Sequence, residues 1–315
     1  MSNVIDISII TPCFNEEDNV QDCAIAVAKV MSTQLPDLNY EHIFIDNCST
    51  DGTMRELKKL AYADKNVKVI ANSRNIGPFR NMYRGMKRAT GKTVIPMLPA
   101  DLQDPADLIP NFYAEWLAGS LVVYGVRKNR QESLFMRGIR GIYYRIIRIM
   151  SDTDIPLNAG EFMLVDRRIA DEILKLDDYY PYIRGLVAQS TSKSSFVSYT
   201  WVRRRKGKSK ANWFQLFDQA INGLISTSRA PARLALFFGF LISSLGIMGG
   251  VYNLLASLIG AGNAASGVPT LIVGLFFFGG VQLFFTGLLG EYILSIHSQT
   301  RKLPDAFDVE VLNFD

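Results

Sequence analysis

The sequence predicts an α/β domain built on a mostly parallel, doubly wound sheet, followed by two membrane-spanning helices. Short apolar runs alternate with segments of helical period, and the runs are apolar throughout, which is typical of parallel strands buried on both faces. From Leu234 to Gly290 the chain contains no Asp, Glu, Lys, Arg or His. Because a charged side chain is costly at the bilayer centre, so long an uncharged stretch indicates membrane spans.

The 315 residues leave room for one α/β domain ahead of the apolar stretch. The predicted strands are Ile7–Thr11, His42–Asp46, Val67–Ala71, Thr93–Leu98 and Leu121–Val126. The predicted helices are Asp18–Met31, Thr53–Ala63 and Phe79–Ala89. Strands that alternate with helices in this way predict a parallel sheet, in which ligands bind at the carboxyl ends of the strands.

Each of the first four predicted strands is followed by a polar loop. In chain order the loops are TPCFNEEDN, DNCSTDGT, SRNIG and PADLQDP. The second could be only a turn with a helix cap, and in the fourth Asp104 could cap a helix that begins at Pro105. Four such loops at one edge of one sheet favour a ligand site instead.

The residue types in these loops argue against several kinds of site. No GxGxxG follows the first strand and no Walker lysine loop is present, so neither dinucleotide binding nor P-loop hydrolysis is favoured. His42 and His297 do not suggest a triad or a zinc site. Cys13, Cys23 and Cys48 lack metal-ligand or disulfide spacing, which fits a reducing compartment. A carboxylate-lined edge without these elements points to Mg²⁺ or Mn²⁺ holding a diphosphate.

The uncharged stretch is too long for a single crossing, since a helix rises about 1.5 Å per residue and the hydrocarbon core is about 30 Å thick. It divides at the small, polar turn Gly260–Gly267, which predicts spans at Leu234–Ile259 and Val268–Leu294. A buried helical hairpin in a soluble core is the alternative, although helices of soluble proteins usually carry a charged face.

Basic residues flank the outer ends of both predicted spans: Arg229, Arg233, Arg301 and Lys302. The positive-inside rule then places both termini and the N-terminal domain in the cytosol. The start MSNVIDIS does not resemble a signal peptide. We therefore expect a multi-pass protein of the inner or plasma membrane, with a soluble domain at 1–230, a transmembrane hairpin at 231–296 and a cytosolic tail at 297–315.

A basic run precedes the first span, although the net charge of the chain is only +4. Arg203–Lys210 consists mostly of Arg and Lys and could be a patch that attracts anionic lipid headgroups. Phe135–Met150 has arginines on one helical face and apolar residues on the other, which predicts an interfacial helix. Trp213–Ser228 has an apolar stripe that suits either an interfacial or a core helix. These features indicate a membrane as partner and give no indication of nucleic acid.

The ordered set of motifs resembles the GT-A-fold family 2 glycosyltransferases. The motifs are TPCFNEEDN, FIDNCSTDGT, SRNIGPFRNMYRG, PADLQDP, NAGEFMLVDRR and RRKGKSK. The nearest group is the polyprenyl-phosphate glycosyltransferases, which include the dolichol-phosphate mannose synthases and the bacterial glucosyltransferases of lipid carriers. The resemblance covers essentially the whole chain, including the two spans. It implies a Rossmann-like GT-A domain with a mostly parallel sheet.

The resemblance also implies roles for individual residues. Those assigned to the nucleotide-sugar site are Thr11, Pro12, Asn15, Glu16, Asp46, Asn47, Arg74, Asn75, Gly77, Ala100 and Lys210. Asp46 and Asn47 would meet the base or the ribose. The metal, Mg²⁺ or Mn²⁺, would be held by Asp101 and Gln103, with Asp104 as a helper. Asp101, Glu161 and Arg204 would act in catalysis.

The chain departs from the family pattern at three positions. Pro99 replaces the first carboxylate of the D-x-D element, Asn47 replaces the second Asp of the usual pair, and Glu161 replaces the Asp of the G-D-F element. These departures bear on the affinity for the metal ion and on which nucleotide base the site prefers. Glu161 retains the charge with one methylene of extra reach.

The reaction implied by the resemblance is inverting transfer of a hexose from a nucleotide-diphosphate sugar, expected to be a UDP-sugar, to a polyprenyl phosphate such as undecaprenyl phosphate. One alternative is a mannose synthase that uses GDP-mannose. A second is a degenerate, membrane-tethered sugar-nucleotide binder, and a third is a processive synthase, which the lack of a Q-x-x-R-W element weakens. Gly246, Gly249 and Gly250 would permit close helix packing in a homo-oligomer.

Overall fold

The structure is a computed structural model that describes residues 4–128, 159–201, 230–258, 268–301 and 306–314. Several predicted features lie outside the described residues. These are the amphipathic segments 135–150 and 213–228, the basic run with Arg204 and Lys210, and the turn 260–267.

Within the described residues the strands form one eight-stranded sheet with the order β7-β5-β6-β4-β1-β2-β3-β8. The strands are β1 (Ile7–Cys13), β2 (Tyr40–Asp46), β3 (Val67–Asn72), β4 (Thr93–Ile95), β5 (Val122–Arg127), β6 (Ala159–Asp166), β7 (Ser194–Tyr199) and β8 (Asp308–Leu312). The neighbours β3, β2, β1 and β4 are all parallel, as predicted. The sheet is nevertheless mixed, because β6 is antiparallel to β4 and β5, and β8 is antiparallel to β3.

Helices cover both faces of the sheet. They are α1 (Val20–Gln34), α2 (Thr53–Ala63), α3 (Pro78–Arg88), α4 (Ile109–Leu117), α5 (Arg167–Lys175) and α6 (Ile183–Ser190), with a 3₁₀ turn at Ala106–Leu108. One core cluster joins α1, α2 and α4 to the sheet, and the other joins α3, α5 and α6 to the opposite face. The strands are buried on both faces, which explains why their sequences are apolar throughout.

The strand directions bring one end of nearly every strand to the same edge of the sheet. Because β6 is antiparallel to both β4 and β5, these two strands run in the same direction, and β7 is parallel to β5. We call the edge where β1–β5 and β7 end, and where β6 and β8 begin, the carboxyl edge. All four polar loops named above lie at this edge, as do the first residues of β6.

Two long helices lie between β7 and β8 in the chain: α7 (Ala230–Leu258) and α8 (Val268–Arg301). Among the described residues one segment, Phe277–Arg301 in α8, is long and apolar enough to span a bilayer, whereas two such spans were predicted. The apolar segment found in α7, Ala235–Gly249, is shorter. No part of the apolar window in α8 is buried, so this helix is not the core helix that the soluble alternative requires.

The C-terminal segment 297–315, predicted as a cytosolic tail, includes the end of α8 and a strand. It contains β8, which extends the sheet beyond β3. The apolar helices are therefore an excursion from the sheet: the chain leaves after β7 and returns to the same sheet at β8.

Candidate active site

The loops after β1 and β2 bind each other through side chains. We call the loops after β1, β2, β3 and β4 loops 1 to 4, with residues 14–19, 47–52, 73–77 and 96–105. The side-chain oxygen of Asn15 accepts a hydrogen bond of 2.7 Å from the main-chain N–H of Thr50. The main-chain N–H of Asn15 donates to the Ser49 hydroxyl at 2.8 Å. The Glu16 amide donates to the Thr53 hydroxyl at 2.8 Å. Asn15 and Glu16, both predicted for the nucleotide site, therefore lie beside loop 2.

A network of asparagine side chains joins loop 2 to loop 3. Asn47 Nδ2 donates to Asn75 Oδ1 at 2.9 Å, and Asn47 Oδ1 accepts from the Ile76 amide at 3.0 Å. Asn72 Nδ2 donates to Asn47 and to Asn81, and Asn81 in turn donates to a main-chain oxygen of β2. The Asn47 side chain is buried and holds the loops together. An Asp at this position could not donate to Asn75, so the departure from the family pattern has a structural use.

Asp46 lies at the end of β2 and is almost completely buried. Its Oδ2 accepts a bond of 3.1 Å from the Ser49 amide, whereas its Oδ1 is buried and has no hydrogen-bond partner among the described residues. Burial raises the pKa of this carboxyl group, and its hydrogen bonds with Ser49 act in the opposite direction. A buried acceptor without a partner is costly, so Asp46 is suited to accept an N–H from a ligand.

Thr11 occupies a different place from the other residues predicted for the nucleotide site. It is fully buried in β1, and its hydroxyl lies 2.8 Å from His42 Nε2. Burial lowers the pKa of His42 to about 3, so the imidazole is neutral at pH 7. Thr11 thus supports the carboxyl edge from inside the sheet. Pro12 is partly exposed and Ala100 is buried.

Arg74, Asn75 and Gly77 lie in loop 3, and the first two are exposed. Gly77 has φ +83° and ψ 162°, a conformation essentially confined to glycine. Left-handed residues also occur in the other loops: Asn15 at φ 55°, Cys48 at φ 62° and Leu102 at φ 53°. Leucine rarely adopts such a φ, and strained backbone of this kind concentrates at ligand sites.

Loop 4 presents the predicted metal ligands Asp101 and Gln103, both partly exposed, on either side of Leu102. The main-chain N–H of Gln103 donates a hydrogen bond to Asp101 Oδ1 at 3.2 Å. Asp104 is buried and points elsewhere: its two oxygens accept bonds of 3.1 and 2.7 Å from the Arg127 guanidinium, and its Oδ1 also accepts from the Tyr199 hydroxyl. The structure therefore engages Asp104 in an ion pair, where the sequence suggested a metal helper or a helix cap.

Arg127, at the end of β5, was not predicted as a site residue. Besides binding Asp104 and the Tyr199 hydroxyl, it lies 5.9 Å from the centre of the Trp201 ring. Burial acts to lower the pKa of Arg127, but the neighbouring Asp104 carboxylate and Tyr199 outweigh it, so that the pKa is raised and the guanidinium stays charged. A side-chain carbon added to Gly160 would come within 3.3 Å of the same guanidinium. Arg127 thus joins loop 4, the start of β6 and the end of β7. An arginine directly after an apolar strand was the available sequence signal.

Glu161 is the third residue of β6 and is partly exposed. Because β6 begins at the carboxyl edge, Glu161 lies at the same edge of the sheet as loop 4. Arg184 fixes this strand start by donating to the main-chain oxygen of Ala159 at 2.7 Å. Asp101 and Glu161, both predicted to be catalytic, therefore share an edge, whereas Arg204 and Lys210 lie outside the described residues.

The donors at this edge fit a divalent cation that is held largely by its substrate. No group of three or more His, Cys, Asp or Glu that could hold a metal occurs in the described parts of the chain. Asp101 and Gln103 offer a carboxylate and an amide oxygen, both ligands that Mg²⁺ accepts. Mg²⁺ usually binds through one or two carboxylates together with substrate phosphates and water, so this small set fits a diphosphate-bound ion.

Comparison with known proteins identifies the family. The model of glycosyl transferase family 2 matches residues 8–174. YkcC of Bacillus subtilis, an uncharacterized glycosyltransferase, is 32% identical over 305 residues, which are 96% of this chain and 93% of that protein. A prophage bactoprenol glucosyl transferase homolog of Escherichia coli is 30% identical over 299 residues, 95% of this chain and 96% of that protein.

Among solved structures, the mannosyltransferase PcManGT of Pyrobaculum calidifontis, in complex with GDP-Man and Mn²⁺, matches with a TM-score of 0.49 and 17% identity over 96% of this chain and 89% of that one. The family match covers more than half of the chain, and the curated relatives align over nearly their whole lengths. The chain is therefore a glycosyltransferase of family 2, in the polyprenyl-phosphate group to which the bactoprenol glucosyl transferases belong.

Proposed function

We propose that this enzyme transfers a hexose from a UDP-sugar to undecaprenyl phosphate at the cytosolic face of the membrane, with inversion at the anomeric carbon. One observation carries the proposal: the edge that holds the site loops is also the edge at which the chain leaves for the apolar helices and returns from them. A lipid-linked acceptor can therefore approach the site from the membrane. The names of the bactoprenol glucosyl transferase relatives support the same acceptor.

A contact between α8 and the sheet domain also supports this arrangement. Gln299 Nε2 donates to Asp178 Oδ1 at 2.6 Å, and the Tyr179 amide donates to Gln299 Oε1 at 3.0 Å. The Tyr179 ring lies 3.9 Å from the Arg80 guanidinium, at the start of α3. Since α3 begins at the carboxyl edge, the end of α8 lies close to the site loops.

We further infer that α7 and α8 are a two-span hairpin. β7 and β8 belong to one sheet, so both ends of the helical excursion lie on the same side of a bilayer. An odd number of crossings would put β8 and β3 on opposite sides, which their hydrogen bonds forbid. The exposed apolar side chains of both helices, Phe240 and Leu283 among them, support lipid contact.

The chemistry needs positioning more than acid–base catalysis. A phosphate monoester has a second pKa near 6, so the acceptor is a largely ionised oxygen nucleophile at pH 7. Asp46 and loop 3 would hold the nucleotide, and Glu161 would orient a sugar hydroxyl or the acceptor. Asp101 and Gln103 would hold Mg²⁺ or Mn²⁺, and Arg204 and Lys210 together with that ion would supply positive charge to the departing diphosphate. Direct displacement then inverts the anomeric centre.

The test is a transfer assay with the purified full chain, undecaprenyl phosphate and a panel of UDP-glucose, UDP-galactose, UDP-N-acetylglucosamine and GDP-mannose. We expect Mg²⁺- or Mn²⁺-dependent transfer of one UDP-linked hexose to the lipid, with inverted configuration. Transfer from GDP-mannose alone would identify a mannose synthase. Binding of a sugar nucleotide without transfer under any condition would identify a tethered binder and overturn the proposal.

A further inference from the structure

The segment just ahead of β8 binds loop 3 through its main chain. The Ser73 amide donates to the Phe307 oxygen at 3.0 Å, and the Phe307 amide donates to the Ser73 hydroxyl at 3.2 Å. Ser73 is the residue before Arg74, which is proposed to contact the nucleotide. The tail therefore contacts the first residue of loop 3 from the side opposite the asparagine network.

Asp308 extends this contact to α3, the helix that follows loop 3. Its carboxylate accepts hydrogen bonds from Arg84 and Arg88, both on α3, and Arg84 also donates to the Ala306 oxygen. The side chains of Asp308 and Arg84 are only 18% and 14% exposed, so this pair is largely shielded from water. Because α3 begins directly after loop 3, Phe307 and Asp308 hold the elements on both sides of that loop.

The far end of the tail is fixed independently of loop 3. Asn313 Nδ2 donates to the Ala61 oxygen at 2.7 Å and to the Val67 oxygen at 2.8 Å, where α2 ends and β3 begins. Glu310 pairs with Lys58 of α2 at 2.8 Å. β8 is thus anchored along β3 and α2, and it can act as a fixed support for Phe307 and Asp308.

We propose that the C-terminal segment is a working part of the nucleotide site: Asp308 and the Phe307 main chain are positioning groups that hold loop 3 in its nucleotide-binding conformation. The inference rests on the proposed function, since it assumes that loop 3 binds a nucleotide. Loop 3 carries two exposed side chains, Arg74 and Asn75, and ends at Gly77, whose φ of +83° glycine adopts without strain. Because glycine is conformationally permissive, such a loop keeps one conformation only when its surroundings hold it there. The asparagine network supplies one side of these surroundings and the tail supplies the other.

The chain offers a matched pair of variants to test this role. Asp308→Asn removes a charge next to loop 3, and Glu310→Gln removes a charge from the same strand at its pairing with α2, away from loop 3. Asp308→Glu keeps the charge and serves as the conservative variant. UDP binding to the full-length protein is measured by titration calorimetry with Mg²⁺, together with the melting temperature and the KM and kcat of transfer.

We expect Asp308→Asn to weaken UDP binding and to raise the KM for the sugar nucleotide about tenfold, the effect of losing a hydrogen bond to a charged group, with kcat little changed. Asp308→Glu should recover part of the loss, and Glu310→Gln should bind UDP as the parent does. The inference is overturned if Asp308→Asn binds UDP with the parent affinity, or if both neutral variants weaken binding in proportion to their loss of melting temperature. A parent protein that binds neither UDP nor GDP overturns the proposed function itself, and this inference with it.

Discussion

Two buried carboxylates at the carboxyl edge have opposite surroundings, and these decide what each can do. Both oxygens of Asp104 are occupied by Arg127 and Tyr199, so Asp104 fastens loop 4 and is not available to a ligand. Asp46 has one oxygen bound by the Ser49 amide and one without a partner in the described structure. An N–H of a nucleobase could donate a hydrogen bond to that oxygen. Because the oxygen is unpaired in the free enzyme, forming this bond would remove an energetic cost and so favour nucleotide binding.

We propose that Asp101 is the main metal ligand, because Pro99 replaces the first carboxylate of the family's D-x-D element and because Asp104 is engaged by Arg127. We expect Asp101→Asn to reduce transfer about a hundredfold or more, the range seen when a key electrostatic element is lost. The measurement is kcat at saturating Mg²⁺ or Mn²⁺, with the melting temperature as a control for folding. A variant that transfers sugar at nearly the parent rate would remove Asp101 from the metal site.

His42 makes the enzyme sensitive to acid through its buried, neutral imidazole. Its pKa is about 3 when folded and 6.5 as an ordinary value, so the unfolded chain binds more protons between these limits. Stability should therefore fall as the pH drops below 6.5, by about 2 kcal/mol at pH 5. Melting temperatures at pH 7 and pH 5 measure the loss, and His42→Gln should show a smaller pH dependence. Equal dependence in both proteins would mean that carboxylates alone cause it.

At the scale of elements, β1, β2 and β3 were predictable from local signals, whereas β7 and β8 depend on distant partners and were not predicted; β6 was also not predicted, although it contains an apolar run. β1, β2 and β3 were predicted almost within their observed bounds, because an apolar run between two helical segments can be recognised from the local sequence alone. β7 is half polar at the sheet margin and β8 follows the apolar helices, so neither has such a run. The asparagine network likewise joins Asn47 to Asn75 across 28 positions, a pairing that no local pattern contains.

The ion pair between Arg127 and Asp104 holds β5, loop 4 and the end of β7 together. Arg127→Ala would leave Asp104 buried without its cation, which costs about 3 kcal/mol or more. We expect a lower melting temperature and reduced transfer, since loop 4 also carries Asp101. Lys175→Ala is the matched control, because its pair with Glu172 is exposed to solvent and should contribute little to stability. Equal losses in both variants would refute a special role for Arg127.

The basic run follows β7, which ends at the carboxyl edge, and this continuity gives the run its proposed role. We expect Arg204→Ala and Lys210→Ala each to reduce transfer to undecaprenyl phosphate about a hundredfold by removing charge next to a phosphate. Lys206→Ala, an equal loss of charge in the same run, should change the rate little. The affinity of each variant for UDP then shows which phosphate group these residues bind. The affinity falls if they bind the diphosphate of the donor, and it is unchanged if they bind the phosphate of the lipid acceptor. If both variants transferred sugar at the rate of the parent protein, the basic run would serve only as a membrane anchor.

At the scale of the whole molecule, the return of the chain to its own sheet constrains the membrane topology more strongly than hydropathy does. Hydropathy and length give one segment among the described residues that could span a membrane. The pairing of β8 with β3 requires an even number of crossings, because both strands must lie in one compartment. The positive-inside rule, applied to the arginines outside the predicted spans, predicts that this compartment is the cytosol, where the proposed sugar-nucleotide donor would reach the site.

This topology predicts that the turn 260–267 faces the side opposite the sheet domain. Of the native cysteines only Cys48 is exposed. The Cys48→Ser variant is therefore a background in which labelling by a thiol reagent reports on a single introduced cysteine. In intact cells an impermeant thiol reagent should label Ala264→Cys and spare Ser2→Cys, and after permeabilisation it should label both. Cys48 of the parent provides an internal control from loop 2, labelled only once the membrane is opened. Labelling of Ser2→Cys or Cys48 in intact cells would place the site loops outside, away from the cytosolic supply of sugar nucleotide. Failure to label Ala264→Cys before permeabilisation would show that the helices lie along the membrane without crossing it.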